Sequence, residues 1–219
     1  MSALDIWLGI LQGSRITGLV TLYALAFAVP FALIFGIAQY LTTGPIRFLV
    51  TSIIEFWRSS AVIILLFVFY YALPVVGVMM TAMTVAAMVL GLNTGGYGSQ
   101  AVRSGLQTLD RGQKEAGKAL GMSRSAILCL IELPQALLVM SPTFINLVIQ
   151  LIKATSLVSL ITLTDMTFRA KEISQVYYEP VPIYLSLLLA YFLMCYPIAL
   201  FGRWVARRVT PHQETRNGV

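Results

Sequence analysis

Long uncharged, apolar stretches alternate with short charged segments along this chain. A helix needs about 20 mostly apolar residues to cross the roughly 30 Å hydrocarbon core of a bilayer, because each residue adds about 1.5 Å. We therefore expect an all-α fold, an integral membrane bundle of about five transmembrane helices. The apolar stretches place these helices near residues 16–40, 56–73, 75–97, 131–151 and 183–201.

The second uncharged run, residues 59–102, is about twice as long as one crossing requires, so we expect it to fold back. Pro74 and Gly77 mark the break, because proline and glycine are the strongest signals for a turn. The fourth apolar stretch continues past Lys153 to Thr164. We therefore expect the far end of the fourth span to be irregular.

Composition supports the membrane class. The chain has 219 residues, of which 58% are hydrophobic and only 11% are charged, and its mean hydropathy is +0.83. A soluble domain carries about 25% charged residues, so this chain has too few charges to cover a surface in water. The net charge is +6, but the basic residues lie between the apolar runs. We therefore expect membrane lipid around the chain and no nucleic acid partner.

The basic residues also predict an orientation, since cytoplasmic loops of membrane proteins carry an excess of Lys and Arg. With the N-terminus outside, the cytoplasmic segments hold Arg47, Arg58, Arg103, Arg111, Lys114, Lys118, Arg124, Arg203, Arg207, Arg208 and Arg216. The outer segments hold Arg15, Arg169 and Lys171. We therefore predict that the N-terminus lies outside and the C-terminus inside. One transmembrane domain would occupy residues 1–208, followed by a cytoplasmic tail at residues 209–219.

Residues that carry chemistry are scarce in this sequence. The only histidine, His212, lies in the polar tail, and Cys129 and Cys195 lie in separate apolar stretches. The glycine-rich Gly95–Gly98 region lacks the Gly-Lys-Ser/Thr motif that cradles phosphates. We therefore predict no catalytic residue, no metal site and no cofactor in this chain, and a membrane enzyme is the weakest interpretation.

The charged segment 99–130 has the pattern of a folded loop. Asp110 followed by Gln113 resembles a capping box, in which the first side chain accepts from free helix N–H groups and the second reaches back to the cap. Gly121 suits the left-handed position that ends a helix, and Ser123 can cap the next helix. The pattern predicts a helix, a glycine elbow and a second helix in the cytoplasm. An ordinary solvated loop is the alternative.

The same loop resembles the EAA loop of permease subunits of binding-protein-dependent ABC importers. The residues that match the motif are Glu115, Ala116, Gly121, Ile131, Leu133 and Pro134. Gly117 departs from it, because the motif has a second alanine there, and glycine costs about 1 kcal/mol of helix propensity relative to alanine. The resemblance extends from about residue 55 to residue 208 and favours the polar amino-acid branch. Within it, residues 156–168 are similar to the ectoine and hydroxyectoine importer permeases.

The resemblance implies a type I importer permease in the bacterial inner membrane. In that family the loop forms coupling helices that sit in a groove of the cytoplasmic ATPase, so the candidate coupling residues are Glu115, Ala116, Gly117 and Gly121. The implied partners are a cytoplasmic ATP-binding subunit dimer, a second permease subunit and an extracytoplasmic solute-binding protein. Transport would proceed by alternating access, with ATP hydrolysis in another chain. A secondary transporter or channel that acts without an ATPase is the alternative.

Polar residues near the end of the fourth span are candidates for the solute path, since such groups are costly inside a membrane and usually functional. The candidates are Asn146, Gln150, Lys153, Thr155, Ser156 and Asp165. The first three share one helix face at spacings of four and three. Lys153 and Asp165 would hold the two charges of a zwitterion. Alternatively, the long side chain of Lys153 reaches the outer interface and the amides join neighbouring helices.

Overall fold

The computed structural model describes residues 3–209, and every regular element in that range is helical. The α-helices are α1 (Ala3–Gln12), α2 (Ser14–Leu41), α3 (Gly44–Ser59), α4 (Val62–Phe67), α5 (Ala82–Thr108), α6 (Arg111–Ala119), α7 (Arg124–Ile127), α8 (Leu133–Ala154), α9 (Met166–Tyr177) and α10 (Pro180–Val209). The predicted all-α fold is confirmed.

The centre of the bundle is the contact between α2 and α5, which small residues bring close together. A Cβ atom added to Gly91 would lie 2.4 Å from the Ala24 carbonyl oxygen, and one added to Gly95 would lie 3.0 Å from the Ala28 carbonyl oxygen. Two glycines four residues apart let membrane helices approach closely. The buried apolar side chains around this contact are Val20, Ala24, Val85, Val89 and Leu90.

Three continuous helical stretches within residues 3–209 are long and apolar enough to cross a membrane, namely Asp5–Leu41, Arg124–Ile161 and Pro180–Arg208. The pair Gly44–Ser59 and Val62–Val76 passes the same test together, although it is bent. Helix α5 is long enough, at 27 residues, but it is more polar and much of it is buried. Residues 3–209 therefore hold three such stretches, or four if the bent pair counts as one span, and the count of five crossings stays a prediction.

The structure divides the second apolar run differently from the predicted span 56–73. Ser60 and Ala61 follow α3 in an extended conformation, and the chain bends by 92° into α4. No proline or glycine marks this bend. The apolar pattern alone therefore predicted one continuous span across it. The predicted break after it is confirmed, because Gly77 has φ +86° and ends a short 3₁₀ turn that contains Pro74.

Helix α5 also differs from the predicted span 75–97. It begins at Ala82 and continues to Thr108, so the first part of the predicted loop 99–130 is helix. This half of α5 is polar in composition, but its glycines are buried against neighbouring helices. A Cβ atom on Gly105 would lie 2.6 Å from a side chain of α8. Close packing therefore extends a helix that hydropathy alone ends too early.

Helix α8 follows a π-helical turn at Leu128–Glu132. In this turn the Leu133 N–H reaches the Leu128 carbonyl oxygen, five residues back. Pro134 comes next, and proline has no N–H and clashes with the carbonyl four residues before it in an α-helix. The wider turn accommodates that proline. At its other end α8 gives way to a 3₁₀ helix at Thr155–Ile161, which confirms the irregular end predicted for the fourth span.

Helix α10 runs from Pro180 to Val209 and is longer than the predicted span 183–201. Its exposed side chains are mostly apolar, among them Leu185, Leu189 and Leu193, as expected for a surface in contact with lipid. Of the predicted cytoplasmic tail, residues 209–219, only Val209 is described, as the last residue of α10, and the rest lies outside the described residues.

Candidate coupling helix and solute face

Helix α6 and the turn after it form the predicted helix–glycine–helix element. The Asp110 carboxylate accepts a hydrogen bond from the Gly112 N–H at 2.8 Å. Gly121 has φ +73°, the left-handed conformation that ends a helix without strain only for glycine. The Ser123 hydroxyl accepts from the Ala126 N–H at 3.2 Å and caps α7. The predicted caps and elbow are therefore confirmed.

Two contacts hold α6 against α7 and α8. The prediction that Gln113 reaches back to the cap is wrong, because its side-chain oxygen accepts from Gln135 Nε2 at 2.9 Å. Gly117 is buried, and a Cβ atom there would lie 2.9 Å from Cγ1 of Ile127 and 3.6 Å from Cδ1 of Ile131. The glycine that departs from the EAA motif therefore lets α6 lie close to the second helix of the elbow.

The outer face of α6 combines exposed polar and apolar side chains. Glu115 and Ala116 are exposed, as is Gly121 at the elbow. Leu120, between them and the elbow, is 81% exposed. A single exposed leucine is common on protein surfaces, but its place beside the elbow makes Leu120 available for contact with a partner. Leu120 was not predicted as a contact residue, although its place directly before the helix-ending Gly121 is visible in the sequence.

Three side chains from different parts of the chain meet behind α6. Lys114 Nζ of α6 lies 2.9 Å from Oε1 of Glu132, the last residue of the π-helical turn. Lys114 also donates a hydrogen bond to the hydroxyl of Tyr40, at the end of α2. The Tyr40 hydroxyl in turn donates to Glu132 Oε1 at 3.2 Å. We call this set, Tyr40, Lys114 and Glu132, the three-residue latch.

Burial differs between the two charges of the latch. The Glu132 side chain is only 7% exposed, whereas that of Lys114 is 30% exposed. Burial alone would lower the pKa of Lys114, but its hydrogen bonds to Tyr40 and Glu132 and the Glu132 charge outweigh burial and raise that pKa above the ordinary 10.5. Lys114 is therefore charged throughout the neutral range. The latch was not predicted from the sequence. Glu132 is a single acid inside an apolar run, and such an acid usually has a polar or charged partner.

The predicted polar face of α8 lies on the outside of the chain. Asn146, Gln150 and Lys153 are all exposed, so the helical spacing brings them to one uncovered face. Thr155 is buried instead, and its hydroxyl donates to the Ile152 carbonyl oxygen at 2.7 Å. Of these candidates, the amides and Lys153 are therefore available to a ligand or partner, and Thr155 is not.

A cavity of about 650 Å³ opens between α8 and α10 beside this face. Lys153 and Ser156 line it from α8 and the 3₁₀ helix that follows. Aromatic side chains of α10 line the other wall, namely Tyr184, Tyr191, Phe192 and Tyr196. The cavity therefore combines one cation, the hydroxyls of Ser156 and Thr167, and several aromatic rings. Its aromatic wall was not predicted from the sequence.

Asp165 does not share the exposed face of Lys153. Its side chain is fully buried, and one carboxylate oxygen caps α9 by accepting from the Phe168 N–H at 2.9 Å. The other oxygen accepts from the Tyr191 hydroxyl at 3.2 Å. Tyr191 and Thr167 both contact Asp165 and line the cavity, so Asp165 connects to the cavity through these two side chains. The structure separates the two charges that the sequence suggested as a pair, because the carboxylate is used to begin a helix.

Within residues 3–209, no group of three or more His, Cys, Asp or Glu side chains is arranged to hold a metal ion. The two cysteines are free, with Cys129 exposed and Cys195 buried.

Sequence comparison gives a family match over most of the chain. The family described as "Binding-protein-dependent transport system inner membrane component" matches residues 28–211. A probable amino-acid ABC transporter permease protein of Sinorhizobium fredii is 35% identical over 205 residues, which cover 91% of this chain and 86% of that protein. The L-cystine transport system permease protein TcyB of Bacillus subtilis is 29% identical over 190 residues, which cover 86% of this chain and 81% of that protein.

Solved structures with the same fold are also similar. A crystal structure of an amino acid ABC transporter with histidines aligns with a TM-score of 0.83 and 27% identity, covering 91% of this chain and 94% of that one. An inward-facing MetNI methionine ABC transporter aligns with a TM-score of 0.74 and 19% identity, covering 96% of this chain and 100% of that one. At the lower identity the likeness concerns the fold alone.

Proposed function

Because this chain belongs to the family of binding-protein-dependent transport system inner membrane components, we propose that it imports a polar amino acid or an ectoine-like zwitterion by alternating access. In this proposal it is the transmembrane subunit, and a separate cytoplasmic ATP-binding dimer hydrolyses ATP. An extracytoplasmic solute-binding protein delivers the solute. The chain lies in the bacterial inner membrane with its N-terminus outside and its C-terminus inside.

The observation that carries the proposal is the exposed helix–glycine–helix element. Glu115 and Ala116 lie on the open face of α6, and Leu120 adds an apolar contact beside the Gly121 elbow. Caps at both helices and a buried Gly117 make the element rigid. A rigid element suits the transmission of motion, because packed interfaces switch between discrete arrangements rather than deforming gradually.

The uncovered face of α8 supports a second permease subunit. Asn146, Gln150 and Lys153 are exposed in the single chain, yet polar and charged side chains in a span almost always face a bundle interior or a water-filled cavity. A second copy of this chain or a related chain would cover this face. The solute path would then lie between the two subunits and be lined by these three residues.

The cavity beside Lys153 suggests the chemistry of the solute. The Lys153 ammonium would hold a carboxylate, and the Ser156 hydroxyl would donate to it. The ring of Tyr184 would hold the cationic group of the same solute, since aromatic faces attract cations, whereas the Tyr196 ring already lies near the Arg203 guanidinium. Asp165 would act indirectly by positioning Tyr191. This arrangement supports an amino acid or an ectoine-like zwitterion, and the relatives named for amino acids agree with the first of these.

Crosslinking tests the docking of α6. Cys129 is exposed and would compete for the crosslinker, so all variants are made in a protein that carries Cys129→Ser. Ala116→Cys then places a thiol on the exposed face of α6, and Glu172→Cys places one on exposed α9 as a matched control. We expect Ala116→Cys, and not Glu172→Cys, to crosslink to a co-expressed ATPase.

Reconstitution separates the two functional candidates. Liposomes that contain only this chain should not take up labelled solute, whereas the complex with ATPase and binding protein should do so when ATP is supplied. Uptake by the chain alone, together with absence of the Ala116→Cys crosslink, would favour a secondary transporter or channel and overturn the proposal.

A further inference from the structure

Helix α6 is short, and few polar contacts connect it to the helices that cross the membrane. The exposed hydrogen bond between Gln113 and Gln135 is one such contact. The other is the three-residue latch, in which Lys114 contacts both Tyr40 and Glu132. The latch is the only one of the two that reaches α2 as well as α8, so it is placed to move both helices together.

The contacts of the latch are costly to break because its acid, Glu132, is largely removed from water. The Glu132 side chain is 7% exposed and accepts from both the ammonium and the tyrosine hydroxyl. Removing Lys114 would leave the mostly buried carboxylate without the cation that contacts it, which is unfavourable, although Lys118 and Arg124 line the same cavity as Glu132. A displacement of α6 therefore either breaks this pair at high cost or carries Tyr40 and Glu132 with it.

Glu132 also lies at the end of an irregular helical turn. It ends the π-helical turn Leu128–Glu132, which has one more residue per turn than the α-helices on either side. Such turns occur singly within α-helices and frequently at functional sites. A shift of this turn by one residue would rotate Glu132 relative to α8, so the position of α6 and the register of the turn are physically coupled.

We propose that Lys114 and Glu132, with Tyr40, transmit the movement of α6 to the start of α8 and the end of α2, and thereby couple ATP hydrolysis to opening of the solute path. These are positioning residues, and the inference rests on the proposed function of the chain. It adds a specific connection that the EAA motif itself does not contain, because Tyr40 and Lys114 lie outside the motif and Glu132 falls at one of its variable positions.

The test uses the whole complex in liposomes, with Glu132→Gln and Lys114→Met as the variants. Glu172→Gln is the matched control, because it makes the same chemical change in an exposed ion pair with Arg169 within one helix. The measurements are solute-stimulated ATPase activity relative to basal activity, and solute moved per ATP hydrolysed. We expect both latch variants to lower the stimulation ratio by about five-fold or more, the lower range of measured coupling between sites. The control should match the unmodified complex.

A reversed pair distinguishes coupling from general damage. The double variant Lys114→Glu with Glu132→Lys restores opposite charges, and it should recover more stimulation than either Lys114→Glu or Glu132→Lys alone. Variants are compared only after Ala116→Cys crosslinking shows that the ATPase is bound. If Glu132→Gln does not assemble, Tyr40→Phe, which removes one hydroxyl, serves as the deciding variant.

The outcomes for the latch and for the function are separate. Unchanged stimulation in an assembled Glu132→Gln or Tyr40→Phe complex would overturn the latch and leave the importer function standing. A wild-type chain that binds no ATPase and transports solute alone would overturn the function itself. Equal loss in the latch variants and in Glu172→Gln would show a general effect of charge removal and would also overturn the latch.

Discussion

The substitution Gly91→Ala should separate the two central helices and destabilise the protein. The added Cβ atom would lie 2.4 Å from the Ala24 carbonyl oxygen and 2.7 Å from Cβ of Phe27. Ordinary van der Waals contact begins at 3.4 Å, so α2 and α5 would have to move apart by about 1 Å. The first of these atoms belongs to the backbone and the second is fixed to it, so no side-chain rotation relieves the clash.

The expected magnitude follows from two opposing effects. Overpacking a core costs about 1–3 kcal/mol, and the rigid backbone contact places Gly91→Ala near the upper value. Replacing glycine by alanine within a helix gains about 1 kcal/mol. The net loss is about 2 kcal/mol, which corresponds to a Tm decrease of about 4–8 °C for a chain of this size.

Gly18→Ala is the matched control, because Gly18 lies in α2 with no atom within 4 Å of its added Cβ. This variant should retain only the gain in helix propensity and raise Tm by about 2–4 °C. Both variants are measured by thermal unfolding in the same detergent at one scan rate. A Gly91→Ala protein as stable as the Gly18→Ala protein would refute the close packing of α2 and α5.

Four further substitutions or conditions have defined outcomes. Lys153→Met should lower uptake by about ten-fold or more with assembly unchanged, because a charged hydrogen bond contributes about 1.5–3 kcal/mol; unchanged uptake would leave Lys153 as a side chain that only reaches the interface. Asp165→Ala should lower stability by about 1 kcal/mol through loss of a helix cap, whereas a loss of solute affinity at unchanged Tm would place Asp165 in the solute path. Gly117→Ala should weaken crosslinking to the ATPase because its Cβ would meet Ile127, and Ile127→Ala should partly restore the crosslink; an undiminished crosslink would contradict this packing. The pKa of Lys114 is raised above 10.5, so its contribution is complete below that value and is lost only as pH rises through the higher folded pKa. The Tm difference between wild type and Lys114→Met should therefore be equal at pH 7 and pH 9, and a difference that shrinks at pH 9 would argue against the ion pair.

Local signals in the sequence predicted the elements that depend on neighbouring residues. Asp110, Gly121 and Ser123 each act within a few positions of their own place in the chain, and all three have the predicted roles. The uncharged runs likewise predicted the long apolar helices, because lipid selects for length and hydropathy.

Features that depend on distant contacts were not predictable in the same way. The bend at Ser60 has no proline or glycine to mark it, and the polar half of α5 is helical because of its packing. The latch joins Lys114 to Glu132 across a helix and an elbow, and no spacing rule connects such positions. Asp165 carried a cap signal, with an acid directly before the Met166 helix, but its position beyond Lys153 suggested a charge pair instead.

The exposed polar face of α8 also has a consequence for the steady-state amount of this protein in the cell. Polar and charged side chains left toward hydrocarbon are costly, and Asn146, Gln150 and Lys153 are all exposed on α8. In the proposed complex a second subunit covers this face, so an unassembled copy should be less stable in the membrane than an assembled one and more readily degraded. The cellular amount of this chain should follow the supply of the subunit that covers α8, so subunit stoichiometry would be set by degradation rather than by synthesis.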